Sequence, residues 1–222
     1  MKIRAILFDM DGVLIDAKDW HYEALNSALT LFGMSISRFD HLKTFDGLPT
    51  RKKLEILTLD RGLPRELHDF INEMKQQYTM DIVHSRCKPT FVHEYALSVL
   101  KAKGYKIAVC SNSVRRSVEV MMERAGLRPY LDYVVSNTDV TQGKPHPEIY
   151  EKAIRFFGLD PKECLVIEDN ENGITAALAA NAHVLEVHDV AQTNIKNILD
   201  RISDIENGMC HDFKYSDFGC GS

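Results

Sequence analysis

A solitary strand constrains this chain more than any other feature. Ile3–Phe8 is an apolar run of strand length that ends at Asp9-Met10-Asp11-Gly12, and the next run of that kind is Lys106–Cys110. Between them the rhythm is helical. Tyr22, Leu25, Leu29 and Phe32 fall at helix spacing, as do Leu54 and Leu57 and then Leu67, Phe70, Ile71, Met74 and Tyr78. A strand buried on both faces needs neighbours on both edges, and a helical block offers none. The first strand is therefore expected to join the later sheet, leaving an insertion.

After Lys88-Pro89 strand and helix alternate. Helices near 91–103, 114–125, 147–157 and 173–180 separate the strands Lys106–Cys110, Tyr133–Val135, Cys164–Ile167 and Val184–Val187. Short apolar strands spaced by single helices predict a parallel sheet covered on both faces. The expected architecture is α/β: a Rossmann-like core from residues 1–16 and 87–222, with an all-helical cap domain at 17–86. Asp16-Ala17 and Cys87-Lys88-Pro89 would be the two hinge strands. The tail from about Ile205, with Gly208, Gly219 and Gly221, shows no period. With 222 residues, 45% hydrophobic and 27% charged, the chain has enough apolar material for one such core and its appended unit.

Charge and cysteine content exclude several function classes. A net charge of -5 with no sustained basic stripe argues against nucleic acid as a partner. The clusters Arg51-Lys52-Lys53 and Arg115-Arg116 suit solvated helix starts as well as contacts to one small anion. Five scattered cysteines, Cys87, Cys110, Cys164, Cys210 and Cys220, fit a reducing compartment. No membrane partner is expected, since apolar runs of about 20 residues are absent, and MKIRAILF is too short for a signal peptide. The expectation is a soluble, cytoplasmic protein for which a monomer suffices.

Ligands of open parallel sheets bind beyond the carboxyl ends of the strands. There the sequence places Asp9 and Asp11 after the first strand, Ser111-Asn112-Ser113 after the second, and Glu168-Asp169 after a later one, with Lys144 in the loop Gln142–Pro147. Singly, each has an ordinary reading: a turn at Asp11-Gly12, helix caps at Ser111–Ser113 and Glu168–Asn170, a surface lysine at 144. Jointly they describe a site. Four carboxylates at adjacent strand ends repel unless a cation joins them, and an all-oxygen set suits Mg2+. A carboxylate can attack phosphorus, a second can trade the proton, and Lys144 with Ser111 and nearby N–H groups can hold phosphoryl oxygens.

These motifs resemble the haloacid dehalogenase superfamily. They stand here as Phe8-Asp9-Met10-Asp11-Gly12-Val13-Leu14, Val109-Cys110-Ser111-Asn112-Ser113, Gly143-Lys144-Pro145-His146-Pro147 and Ile167-Glu168-Asp169-Asn170-Glu171-Asn172-Gly173-Ile174, in the family's order. The resemblance, to members of subfamily I with an inserted helical cap, implies Asp9 as nucleophile and Asp11 as acid and base. It also implies Lys144 as a catalytic and phosphate-binding lysine beside Ser111 and Asn112, and Mg2+ held by Asp9, the Asp11 backbone carbonyl and Asp169 with Glu168 close by. Asp11 points to phosphate esters rather than to dehalogenation. Of Lys52, Lys53 and Lys75, no pattern singles out a Schiff-base lysine of the phosphonate-cleaving branch.

The implied activity is hydrolysis of a small phosphorylated metabolite. The runner-up is a sugar-phosphate mutase similar to β-phosphoglucomutase, which would give His21, Arg51 and Lys75 in the cap a role on the substrate. A catalytically silent binding relative is the rival from another class. Retention of Asp9, Asp11, Lys144 and Asp169 together speaks against it.

Overall fold

The computed structural model describes residues 2–45 and 47–209. The expected tail glycines 219 and 221, with Cys210 and Cys220, lie outside the described residues. Among the described residues, five parallel strands form one sheet in the order β3-β2-β1-β4-β5. These are β1 (Ala5–Phe8), β2 (Lys106–Ser111), β3 (Tyr133–Ser136), β4 (Cys164–Glu168) and β5 (His183–Glu186). The isolated first strand takes the central position. Ala5 sits opposite Lys106 on one side and Cys164 on the other, and Phe8 opposite Val109 and Ile167. All four β1 side chains are buried, as expected of a strand covered on both faces.

Alternation along β1 sorts its side chains into two cores. Ile6 and Phe8 join one, with Leu97 and Leu100 of α5 (Phe91–Ala102), Val118 and Met121 of α6 (Arg115–Arg124), and Ile198 and Ile202 of α9 (Ile195–Glu206). Ala5 and Leu7 join the other, with Ile149 and Ala153 of α7 (Glu148–Phe157) and Ala176 and Ala177 of α8 (Glu171–Ala179). The alternating elements of the sequence thus form a Rossmann-like three-layer core.

The block between β1 and α5 is helical: α1 (Lys18–Thr30), the short α2 (Arg38–Asp40), a π-helical turn at His41–Phe45, α3 (Thr50–Arg61) and α4 (His68–Arg86). It encloses its own apolar cluster of Leu25, Leu29, Leu54, Leu57 and Ile71. Val83, near the end of α4, packs instead into the main core with Cys87.

Strand and helix ends fall within about two residues of the expected ones, as usual for fraying termini. One element differs outright. The region expected as tail from about Ile205 begins inside α9, a helix the sequence reading does not include. Its signal is present in the sequence: Ile195, Ile198, Ile202 and Ile205 lie on one face, behind Asn194, whose side chain accepts from Asn197 N.

Candidate active site

The register of the sheet assembles the site. One residue beyond the paired Phe8 and Ile167 come Asp9 and Glu168, and two beyond Val109 comes Ser111. Asp9 and Ser111 open into a cavity of about 170 Å3 between the sheet's carboxyl edge and the helical insertion, and Glu168 is fully buried beside them. Its lining includes Asp9, Asp11, Ser111, Asn112 and Lys144 from the core, and His21, Arg51, Lys53 and Lys75 from the insertion.

Lys144 is the charge hub. Its buried Nζ lies 2.5 Å from Asp9 Oδ1 and 2.6 Å from Glu168 Oε1, and 4.9 Å from the centre of the Tyr150 ring. Burial opposes its charge, but the two carboxylates outweigh burial and hold its pKa above the usual lysine range. Its loop is pinned by Asn112, whose Oδ1 accepts from Lys144 N at 3.0 Å while Nδ2 donates to Lys144 O and to Gly47 O of the insertion. The Lys144–Pro145 peptide is cis.

Glu168 is fully engaged. Oε1 accepts from Lys144 Nζ and, at 2.5 Å, from the Tyr150 hydroxyl; Oε2 accepts from Asp169 N and Asn170 Nδ2. A carboxylate has about four acceptor positions, so this one has little left for a further ligand and acts as an anchor. Gly173 makes the arrangement possible, since a Cβ there would lie 1.8 Å from Glu168 Oε1.

Asp11 faces both halves of the cavity. Its Oδ2 accepts from Ser113 Oγ at 3.1 Å, and its Oδ1 lies 3.1 Å from His21 Nε2, close but not aligned as a hydrogen bond. His21 Nδ1 in turn lies 3.2 Å from Lys75 Nζ. When Lys75 is protonated it only donates, and in that state the contact leaves the ring proton on Nε2, toward Asp11. Burial pushes Asp11 up, but His21, Ser113 and Lys75 together draw it below the ordinary carboxylate value. Lys75 is pushed down to about 7 by burial and the nearby charge of Lys53, with Asp11 pulling the other way.

Asp9, Glu168 and Asp169 each offer a ligand atom within 4.8 Å of the others. Burial pushes Asp9 well above the carboxylate range; Lys144 pulls it down, while Glu168, Asp169 and Asp11 push it up again. Asp169 Oδ2 is buried without a hydrogen bond, and Lys18 Nζ approaches it at 2.6 Å. Asp9, Asp11, Glu168 and Asp169 outnumber the ammonium groups of Lys144 and Lys18 set against them, and such an excess of carboxylate oxygen fits a divalent cation. Asn170 donates to Asp169 Oδ1 at 3.1 Å, so it orients that carboxylate while capping α8.

The site residues expected from the sequence line this cavity, except Glu168 and Asp169, which stand behind its lining residues Lys144 and Lys18, and they do not line it equally. Arg51 stands at the rim with its side chain 79% exposed, 3.7 Å from Asp69. Asp46, in the insertion, lies outside the described residues. Sequence reasoning missed Lys18 and Tyr150. For Tyr150 a signal existed: a tyrosine in the apolar stripe of α7 needs a partner for its hydroxyl. Nothing in the sequence singled out Lys18.

The profile of the haloacid dehalogenase-like hydrolase family matches residues 6–187. A phosphorylated carbohydrates phosphatase of Thermotoga maritima is 29% identical over 181 residues, 80% of this chain and 82% of that protein. Pyrophosphatase PpaX of Bacillus cereus is 29% identical over 196 residues, 84% of each. In fold, the chain resembles the crystal structure of β-phosphoglucomutase from Clostridium difficile, with a TM-score of 0.79 at 22% identity, covering 92% of this chain and 99% of that one. The chain belongs to the haloacid dehalogenase-like hydrolases and is an enzyme of their phosphatase type.

Proposed function

We propose that this enzyme is a Mg2+-dependent phosphomonoesterase that hydrolyses a small phosphorylated metabolite through an aspartyl-phosphate on Asp9. The observation that carries the reading is the buried contact of Asp9 with Lys144 in the wall of a cavity that Asp11 also lines. The cavity, at about 170 Å3, is below the roughly 300–1,000 Å3 of drug-sized pockets and suits a small ester.

Asp9 and Asp169, with the Asp11 carbonyl, would hold Mg2+, with Glu168 as their anchor. Bound there, the ion would neutralise phosphoryl charge and favour ionised Asp9. Asp9 attacks phosphorus and the ester P–O bond breaks, while Asp11 gives its proton to the departing alkoxide. Water then attacks the aspartyl-phosphate as Asp11 takes its proton, releasing phosphate and Asp9. Asp11 alone is held ionised, which suits the second step. An incoming phosphoryl dianion raises its proton affinity for the first. Lys144, Ser111 and Asn112 hold phosphoryl oxygens.

The insertion, residues 17–86, is proposed as a cap domain on the core of 1–16 and 87–222, with His21, Arg51 and Lys75 meeting the rest of the substrate. Among the described residues no helix is long and apolar enough to cross a membrane, and free buried Cys87, Cys110 and Cys164 agree with a cytoplasmic enzyme. A monomer supplies every group used.

A mutase is the second reading, favoured by the buried lysines 53 and 75 that line the cavity from the insertion, where a second phosphate would sit. Phosphate release from a panel of esters with and without Mg2+, including β-glucose 1-phosphate, separates the two. Metal-dependent free phosphate supports the phosphatase; glucose 6-phosphate without free phosphate supports the mutase; no metal-dependent turnover on any ester refutes both.

A further inference from the structure

Lys18 stands between two cavities. It lines the main one, with Asp9 and Lys144, and a second of about 100 Å3 bounded by Gly12, Asp16, His188, Asp189 and Val190. Its Nζ lies 2.6 Å from Asp169 Oδ2. That oxygen is buried, and the ammonium meets it without the alignment of a hydrogen bond. Asp169 Oδ1 is already taken by Asn170.

Gly12 shapes this contact. Its φ of +90° turns the loop after β1, and a Cβ there would lie 1.9 Å from Asp169 Oδ2 and 2.7 Å from Lys18 Cε. The carboxylate and the lysine stem therefore share the space over one glycine. Two cations on a single carboxylate repel, so an ammonium here and a divalent ion on Asp169 each weaken the other's hold. The second cavity offers the displaced ammonium a place, because Asp16 and Asp189 bring two carboxylates to its wall. Asp189 Oδ1 accepts from Ala191 N and Gln192 N; His188 is the other titratable group there.

We infer that Lys18 is a built-in counter-ion of the metal site, holding Asp169 until a divalent cation arrives and then turning toward Asp16 and Asp189. This rests on the reading of Asp9 and Asp169 as metal ligands. Lys18 is a positioning residue, not a catalytic one: it sets how much metal the site needs.

The test is direct metal binding. Lys18→Met keeps the stem and removes the charge, and Mn2+ binding by electron paramagnetic resonance, with Mg2+ binding by calorimetry, should show a dissociation constant at least tenfold lower than wild type. Lys18→Arg should bind like wild type. Independently, amine labelling of Lys18 in the unaltered protein, read by mass spectrometry, should rise when Mg2+ is added. Equal or weaker binding by Lys18→Met, or labelling indifferent to Mg2+, overturns the inference while wild-type binding leaves the metal site standing. Failure of both proteins to bind either ion overturns the inference and the metal reading together.

Discussion

Replacing Gly173 by alanine separates helix propensity from site geometry, because the two predict opposite signs. Gly173 lies in the first turn of α8 at an ordinary φ, so propensity alone says alanine stabilises by about 1 kcal/mol. The structure says otherwise. The new Cβ would lie 1.8 Å from Glu168 Oε1 and 2.0 Å from its carboxyl carbon. Relieving that overlap moves the carboxylate by more than about 1 Å. Oε1 cannot retreat without leaving Lys144 Nζ at 2.6 Å and the Tyr150 hydroxyl at 2.5 Å. Each is a buried bond to a charged group worth roughly 1.5–3 kcal/mol, so losing both costs roughly 3–6 kcal/mol. Less the helix gain, the net loss is about 2–5 kcal/mol. Lys144 also loses an anchor, so kcat should drop at least tenfold. Urea unfolding and phosphate release measure the two effects. Gly62→Ala is the control: φ is +71° with open space around it, so it should cost roughly 1–2 kcal/mol and leave kcat intact. A Gly173→Ala protein as stable as wild type, with unchanged kcat, would refute the geometry of the Glu168 anchor.

Asp9→Asn should abolish turnover with no loss of thermal stability, since a carboxylate pushed up by its burial, against the pull of Lys144, gives way to a neutral isostere; turnover above a few per cent in pure protein refutes the nucleophile. Tyr150→Phe keeps the ring over Lys144 and removes the hydroxyl, so kcat should fall by about tenfold, as expected for one bond to a charged group, while KM stays within twofold; unchanged kcat would make that hydrogen bond dispensable. Lys75 has a folded pKa of about 7 against 10.5 for an ordinary lysine. Its contribution to stability is therefore present above the ordinary value and lost as pH falls through about 7. Between pH 7 and 10, wild-type unfolding free energy should rise relative to Lys75→Met; parallel curves would contradict the burial of that ammonium.

The sequence carried the sheet because β strands buried on both faces leave continuous apolar runs, and the polar residues that interrupt them mark the carboxyl ends. Asp9, Ser111 and Glu168 were legible for that reason. Lys18 was not, because Asp169 lies 151 residues away and the register of β4 against β1 brings the two together; for Tyr150 the apolar stripe of α7 announced a buried hydroxyl but not its partner Glu168, which the packing of α7 on the sheet supplies. Glu168 shows a finer limit. Its sequence position is equally compatible with ligating a metal and with anchoring its neighbours. What decides is the number of donors around it, a property of the packed site. Arg51 shows a similar limit: a cation at a helix start suits solvent and a small anion alike, and α3 sets it at the cavity rim, where both are within reach.

The division of charge between the two parts of the chain bears on where specificity resides. The core brings Asp9, Asp11, Glu168 and Asp169 with one buried cation, Lys144, whereas the insertion brings Lys18, His21, Lys53 and Lys75. The core groups are tied to one another by short hydrogen bonds that any phosphate ester must meet in the same way. Among the described residues the insertion meets the core through Lys18 to Asp169, His21 to Asp11, Asn112 to Gly47, Ser117 to Gln76 and Arg124 to the His84 carbonyl, and Lys75 reaches toward Asp11 by way of His21. Substitutions at Lys53 or Lys75 can therefore change which ester is preferred without disturbing Asp9 and Lys144, and they should alter KM across a substrate panel more than kcat. A uniform fall in kcat for every ester would instead place those lysines in the chemistry itself.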